Sequence, residues 1–183
     1  LCFAQATISA TDRAAIAAHV ARVNENAKRA WSTRDPTLLV PDSPAVFART
    51  PQGQVLTATE LRADLQRRMN MTTRVDTMTE VLDSIKVVTA DSVLAYSSQR
   101  FVRTIRLPDG VERQRLSTVI HEIPMRRREE RWVQAGPVRE INPKAWWAGE
   151  PPPASGQAPR SATMSFSYRH TSSANGPVSV GAS

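Results

Sequence analysis

The side chains best able to do chemistry in this sequence lie between Tyr96 and Glu122. His121 and Glu122 are adjacent, an imidazole beside a carboxylate, and general acid–base catalysis draws on both groups. Neighbours on a strand point to opposite faces, so the two cannot share a proton by direct contact and at most one of them sees an interior. A glutamate held in apolar surroundings has a raised pKa and can act as a base, whereas an edge salt bridge to a nearby arginine accounts for the same residue equally well. Tyr96 sits mid-strand among Leu94, Ser98 and Val102, where its hydroxyl can reach a ligand while its ring packs as wall or core. Arg100 and Arg103 fall on opposite strand faces. Either can pair with an anionic ligand, a solvated outer face being the ordinary alternative.

Much chemistry is excluded by residue type and spacing. His19 belongs to the first helix and His170 to the tail, so no two histidines have metal-ligand spacing, and neither His-x-x-x-His nor Glu-x-x-His occurs; no metal is expected. The Gly-x-Ser-x-Gly elbow, the Gly-x-Gly-x-x-Gly loop and the Walker sequence are also missing, and no cofactor is expected. Cys2 is the single cysteine, which leaves no pair for a disulfide or a zinc knuckle. The formal charge is +7, with a pI near 10.7. Its arginines are interspersed with acids, however, and the one dense run, Arg126-Arg127-Arg128, is followed at once by Glu129-Glu130. That pattern does not predict a nucleic-acid partner; it predicts a diffuse basic surface drawn weakly to anionic lipid or cell-wall polymer. No apolar run approaches the ~18 residues that a membrane-spanning helix needs.

These side chains must be positioned by elements that the hydrophobic pattern makes visible. Ile16, Val20, Val23, Ala27 and Trp31 recur at spacings of three and four, which predicts a helix from Ser9 to Trp31, capped by Ser9 or Thr11 and closed by Asp35-Pro36. The stretch from Pro41 to Pro51 holds three prolines and predicts irregular chain with at most one short strand. Thr57-Ala58-Thr59-Glu60 has the form of a capping box, and Leu61, Leu65 and Met69 give the helix that follows, to about Met71, one apolar stripe. Short β-branched runs come next, Val75–Val88, Ser92–Ile105 and Val111–Ile123, with Pro108-Asp109-Gly110 as a hairpin between the last two. The charged stretch Arg126–Glu130 predicts a turn and Arg131–Ala135 a returning strand. Helices followed by antiparallel strands make an α+β order. Trp146-Trp147 is expected to cover an edge of the core.

The domain is expected to span residues 7–149. Ahead of it Ala4-Gln5-Ala6 has the small-x-small form of a secretory cleavage site, so residues 1–6 read as a signal-peptide remnant and the protein as extracytoplasmic, periplasmic or secreted. Residues 150–183 are rich in Pro, Ser, Ala and Gly with almost no large aliphatic side chains, which predicts a disordered tail.

Three segments carry a resemblance: Ala30-Trp31-Ser32-Thr33-Arg34-Asp35, then Thr50-Pro51-Gln52-Gly53-Gln54-Val55-Leu56-Thr57, and the Arg131-Trp132 strand. Together, over roughly residues 10–142, they resemble the SnoaL-like branch of the nuclear transport factor 2-like superfamily. The resemblance implies a curved antiparallel sheet wrapped around N-terminal helices as a cone, with an apolar pocket inside and an outer sheet face that often forms a homodimer. It also implies ketosteroid isomerases, polyketide cyclases and dehydratases as enzymatic relatives, beside members that only bind or dimerise. The isomerase-type hydroxyl, base and acidic donor would fall near Ala27, Thr50 and Ile120, none of which supplies the required group.

With Ile120 facing the pocket, as the resemblance implies, Glu122 follows it inside and His121 lies on the outer face. The expectation is therefore a domain that binds a small, largely apolar molecule through Trp31, Tyr96, Ile120 and Glu122, or serves as a dimeric accessory module. The alternative is a proton-transfer enzyme, of isomerase, cyclase or dehydratase type, with Glu122 as base and Tyr96 as donor.

Overall fold

Ser9, itself extended, starts the first helix: its hydroxyl accepts from the backbone N–H of Asp12, and Asp12 sits in the first turn where the helix dipole favours an acid. In the computed structural model, which describes residues 8–40, 47–49, 55–136 and 138–154, this helix is α1, Ala10–Thr33. It ends where Arg34 turns left-handed, at φ 54°. A single 3₁₀ turn at Pro36–Leu38 follows, capped by Asp35. Two short strands, β1 (Phe47–Arg49) and β2 (Val55–Thr57), pair antiparallel. Then comes α2, Ala58–Met71, opened by the full capping box of Thr57 and Glu60. The signal-peptide reading of residues 1–6, most of the Pro41–Pro51 stretch, Thr50 and the tail from 155 onward lie outside the described residues.

The rest is one antiparallel sheet: β3 (Thr72–Thr89), β4 (Ser92–Arg106), β5 (Glu112–Arg128), β6 (Arg131–Gln134) and β7 (Arg139–Trp147). The order is β3-β4-β5-β6, and β7 also pairs with β5, so β6 and β7 share its far edge. The chain is thus α+β, with an N-terminal helix against a curved antiparallel sheet. Register shifts along β3, between Val75 and Thr77 and between Leu82 and Ser84 among others, insert extra residues, and such bulges add bend and twist.

Two features depart from the sequence expectation. β5 does not stop at Ile123 but runs on through the arginines to Arg128, and only Glu129 and Glu130 turn, at φ 46° and 63°. Each arginine there pairs with a residue across the hairpin, so the ladder continues beneath the charge. β7 was not anticipated, because Pro143 interrupts its pattern; the strand tolerates the proline at the sheet edge, beside a register shift between Thr118 and Ile120 and a left-handed Asn142.

One face of the sheet is covered. Ile16 and Val20 of α1 cluster with Val93, Ala95, Ile123, Met125 and Trp132, and both helix residues are almost fully buried. Burying each is worth about 1.5–3 kcal/mol. Asp12 then ties the start of α1 to the far sheet edge, accepting from Trp132 Nε1 at 2.8 Å and Arg127 Nη2 at 2.9 Å. Those bonds, Trp132's first, hold its carboxyl below the ordinary aspartate range. A second cluster, Val40, Leu56, Ala58, Leu61 and Leu65, seats α2.

Candidate functional site

The covered face can be followed along the sheet by strand alternation, because β4 and β5 pair without a register shift from Ser92↔Arg126 to Arg106↔Glu112. Val93, Ala95, Ile123 and Met125 meet α1, so Ser97, Gln99, Phe101 and Arg103 of β4 continue the same face, opposite His121, Val119, Ser117 and Arg115 of β5. Tyr96, Ser98 and Arg100 point the other way, opposite Glu122, Ile120 and Thr118.

Midway along the covered face the apolar surface gives way to a polar cluster. His121 Nδ1 lies 2.8 Å from Glu80 Oε1, and the same carboxylate accepts from Ser97 Oγ at 2.7 Å and from Gln99 Nε2 at 3.4 Å. Glu80's side chain is 5 % exposed and His121's 16 %. Burial alone would raise the Glu80 pKa, but the bonds and charge of His121, with Ser97 and Gln99, outweigh it and leave the carboxyl below its ordinary value. An ionised carboxylate can only accept, so the Nδ1 in contact with it carries the proton. In the neutral ring that leaves Nε2 with its lone pair, and Nε2 has no hydrogen-bond partner among the described residues. Glu80, His121 and Ser97 therefore form a relay in which an anchored carboxylate fixes the imidazole tautomer, the arrangement that prepares a histidine as a general base.

α1 contributes one more polar group. Asn24 is buried, and its Oδ1 has no partner among the described residues. It lies along α1 between Val20, which clusters with Ala95, and Trp31, whose ring meets that of Phe101 at 4.9 Å and a tilt of 57°. Buried polar atoms are nearly always paired, so this orphan on the buried side of α1 is an acceptor open to a bound group.

The expected site residues divide between the two faces. Trp31 meets Phe101 on the covered face. Tyr96, Ile120 and Glu122 come together on the opposite face, which corrects the assignment of Glu122 to the interior and His121 to the exterior: strand alternation is counted from Ala95 and Ile123, and these face the helix. Glu122 does accept from the Tyr96 hydroxyl at 2.8 Å, but Arg139 also grips it with two bonds of 2.8 Å. Those bonds, Arg139's first, lower its pKa, so it lacks the raised value that a carboxylate base at neutral pH requires. Tyr96, donating to an anion, has its own pKa raised.

A groove of about 480 Å³ also opens on that outer face, lined by Val81, Ser98, Arg100, Thr118 and Ile120 among others. Sequence reasoning missed Glu80, and the signal was present: in Thr77–Leu82 it alternates with Val81 and faces the side of Met78 and Leu82. Among the described residues no group of acids, histidines or cysteines is arranged to hold a metal ion, and no helix is long and apolar enough to cross a membrane. Searches of protein families, of curated proteins and of solved structures return no match to this chain.

Proposed function

We propose that this domain binds a small molecule against the helix-covered face of its sheet and moves a proton there, with His121 Nε2 as the base and Glu80 as its positioning residue. The observation that carries the proposal is the 2.8 Å contact between His121 Nδ1 and a buried Glu80 that Ser97 holds in place. Such a base takes a proton from carbon next to a carbonyl, the electron pair moves onto the carbonyl oxygen as an enolate, and the proton returns at the same or a conjugated carbon. This is the proton-transfer class that the SnoaL-like resemblance suggests, carried by a different residue from Glu122.

The test needs no knowledge of the natural substrate. 2-Tetralone, a cyclic ketone with acidic α-hydrogens, is incubated with the protein in D₂O, and loss of the α-proton signals is followed by NMR. Wild type is expected to accelerate exchange over buffer, and His121→Ala to lose about 100-fold or more of that acceleration. Equal rates for wild type and His121→Ala would remove the base. A second reading, binding on the outer face, is favoured by the groove beside Ile120. It predicts that Val81→Trp abolishes ligand binding, whereas the proton-transfer reading predicts that this variant keeps its exchange rate.

A further inference from the structure

We infer that the far end of the same face, where Arg103 and Arg115 lie directly opposite each other on β4 and β5, is a binding site for an oxyanion, a carboxylate or a phosphate, carried by the small molecule that this face takes. The inference rests on the ligand-binding part of the proposal above and not on its proton transfer. Like charges placed directly opposite on one sheet face repel, and proteins ordinarily avoid the arrangement. Here both residues fall on the helix-covered face.

Arg103 has no ordinary compensation. It is half-buried, with its guanidinium 5.0 Å from the centroid of the Trp31 ring and 5.3 Å from that of Phe101. Ring stacking covers the face of a guanidinium and leaves the N–H groups at its edge to donate. Among the described residues those groups meet neither a carboxylate nor any other hydrogen-bond acceptor. The nearby cations are better supplied: Arg68 Nε bonds Asp64 at 2.7 Å, and Arg115 lies 4.7 Å from the Trp147 ring with Glu150 in its field. Burial, and then the charges of Arg68 and Arg115, push the Arg103 pKa down to about 10, so it remains a cation at neutral pH without a counter-charge among the described residues. Buried cations are normally paired. An anion seated against the edge of Arg103 would supply that pair and relieve its repulsion with Arg115.

The placement also sizes the ligand. Arg103 leans over Phe101, which is four residues along β4 from Ser97, the partner of His121; at ~3.3 Å per residue the anion site and the base are ~13 Å apart. Trp31 and Phe101 make the wall at the anionic end. The ligand class is therefore a molecule of two or three fused rings, or a chain of that length, acidic at one end.

Calorimetric titration of the full chain at fixed ionic strength, with 2-naphthoate and its neutral analogue 2-naphthamide, tests the site. Wild type is expected to bind the carboxylate at least tenfold more tightly than the amide. Arg103→Met should reduce that preference below twofold, as should Arg115→Met, while Arg100→Met, which removes a cation from the outer face, should leave it intact. Inorganic phosphate is the second arm: a rise in Tm over equal chloride that is lost in Arg103→Met shows that the oxyanion suffices without a ring, and no rise assigns the site to carboxylates. Equal affinity for acid and amide, binding of neither, or a preference that survives both arginine variants would overturn the inference. Wild type that exchanges 2-tetralone without preferring naphthoate fails the anion site alone, and wild type that prefers naphthoate without exchanging 2-tetralone fails the base alone, so the two failures are read separately.

Discussion

Glu80→Ala is the most informative single substitution, because it removes the acceptor on which the polar cluster is built. Two short bonds are lost, from His121 at 2.8 Å and from Ser97 at 2.7 Å; the third, from Gln99 at 3.4 Å, is long enough to count for little. A hydrogen bond to a charged acceptor contributes ~1.5–3 kcal/mol, and the two bonds lost are offset in part by a carboxylate that need no longer be desolvated. Against that relief, Ser97 Oγ is left wholly buried without an acceptor, and His121 Nδ1 nearly so. The net loss is about 2–4 kcal/mol. In urea, with a slope near ~2 kcal/mol/M for a domain of this size, the midpoint falls by ~1–2 M at pH 7.

The pH dependence has a definite sign. The folded-state pKa of Glu80 lies below its ordinary value of 4.5, so its stabilisation is complete above 4.5 and is lost as pH falls through the folded-state pKa. The gap between wild type and Glu80→Ala should therefore close as pH falls below 4.5. A change under ~0.5 kcal/mol at pH 7, the size of an ordinary surface substitution, or a gap that widens in acid, would refute the reasoning.

Three further outcomes follow from the same geometry. Ile16→Ala should cost about 2–5 kcal/mol in the same urea assay, because Ile16 is wholly buried between α1 and the sheet; a loss below ~1 kcal/mol would mean that α1 does not seat there. Thr57→Ala should cost ~0.5–2 kcal/mol through loss of the α2 cap, and Thr57→Asn, which can still cap, much less. Glu122→Gln should bring the Tyr96 pKa down toward 10.0, seen by ultraviolet titration of the phenol, while leaving α-proton exchange at the wild-type rate; a loss of exchange would return the base to Glu122.

The elements were largely legible, and the facing of the site was not. The 3–4 spacing of Ile16, Val20, Val23 and Ala27 marked α1, and Thr57 with Glu60 marked the start of α2, because helix period and capping are local properties of the chain. β7 stayed hidden because its pairing with β5 is made through tertiary contact and tolerates Pro143 at an edge. The facing of His121 and Glu122 turns on a single residue of register, and every assignment reverses when the reference residue is wrong. Ile120 was that reference; Ala95 and Ile123, packed with α1, show the opposite parity. Glu80 and His121 are 41 residues apart, and no local pattern announces a pair that only the β3-β4-β5 order brings together.

The tautomer of His121 tests the central claim most directly. The chain has three histidines, His19, His121 and His170, and long-range ¹H–¹⁵N correlation spectra at pH 8 distinguish their ring nitrogens. His121 is expected as the Nδ1–H form with Nε2 unprotonated, and to lose that preference in Glu80→Ala. A His121 found in the Nε2–H form, or one whose ring signals do not change when Glu80 is removed, would contradict the account.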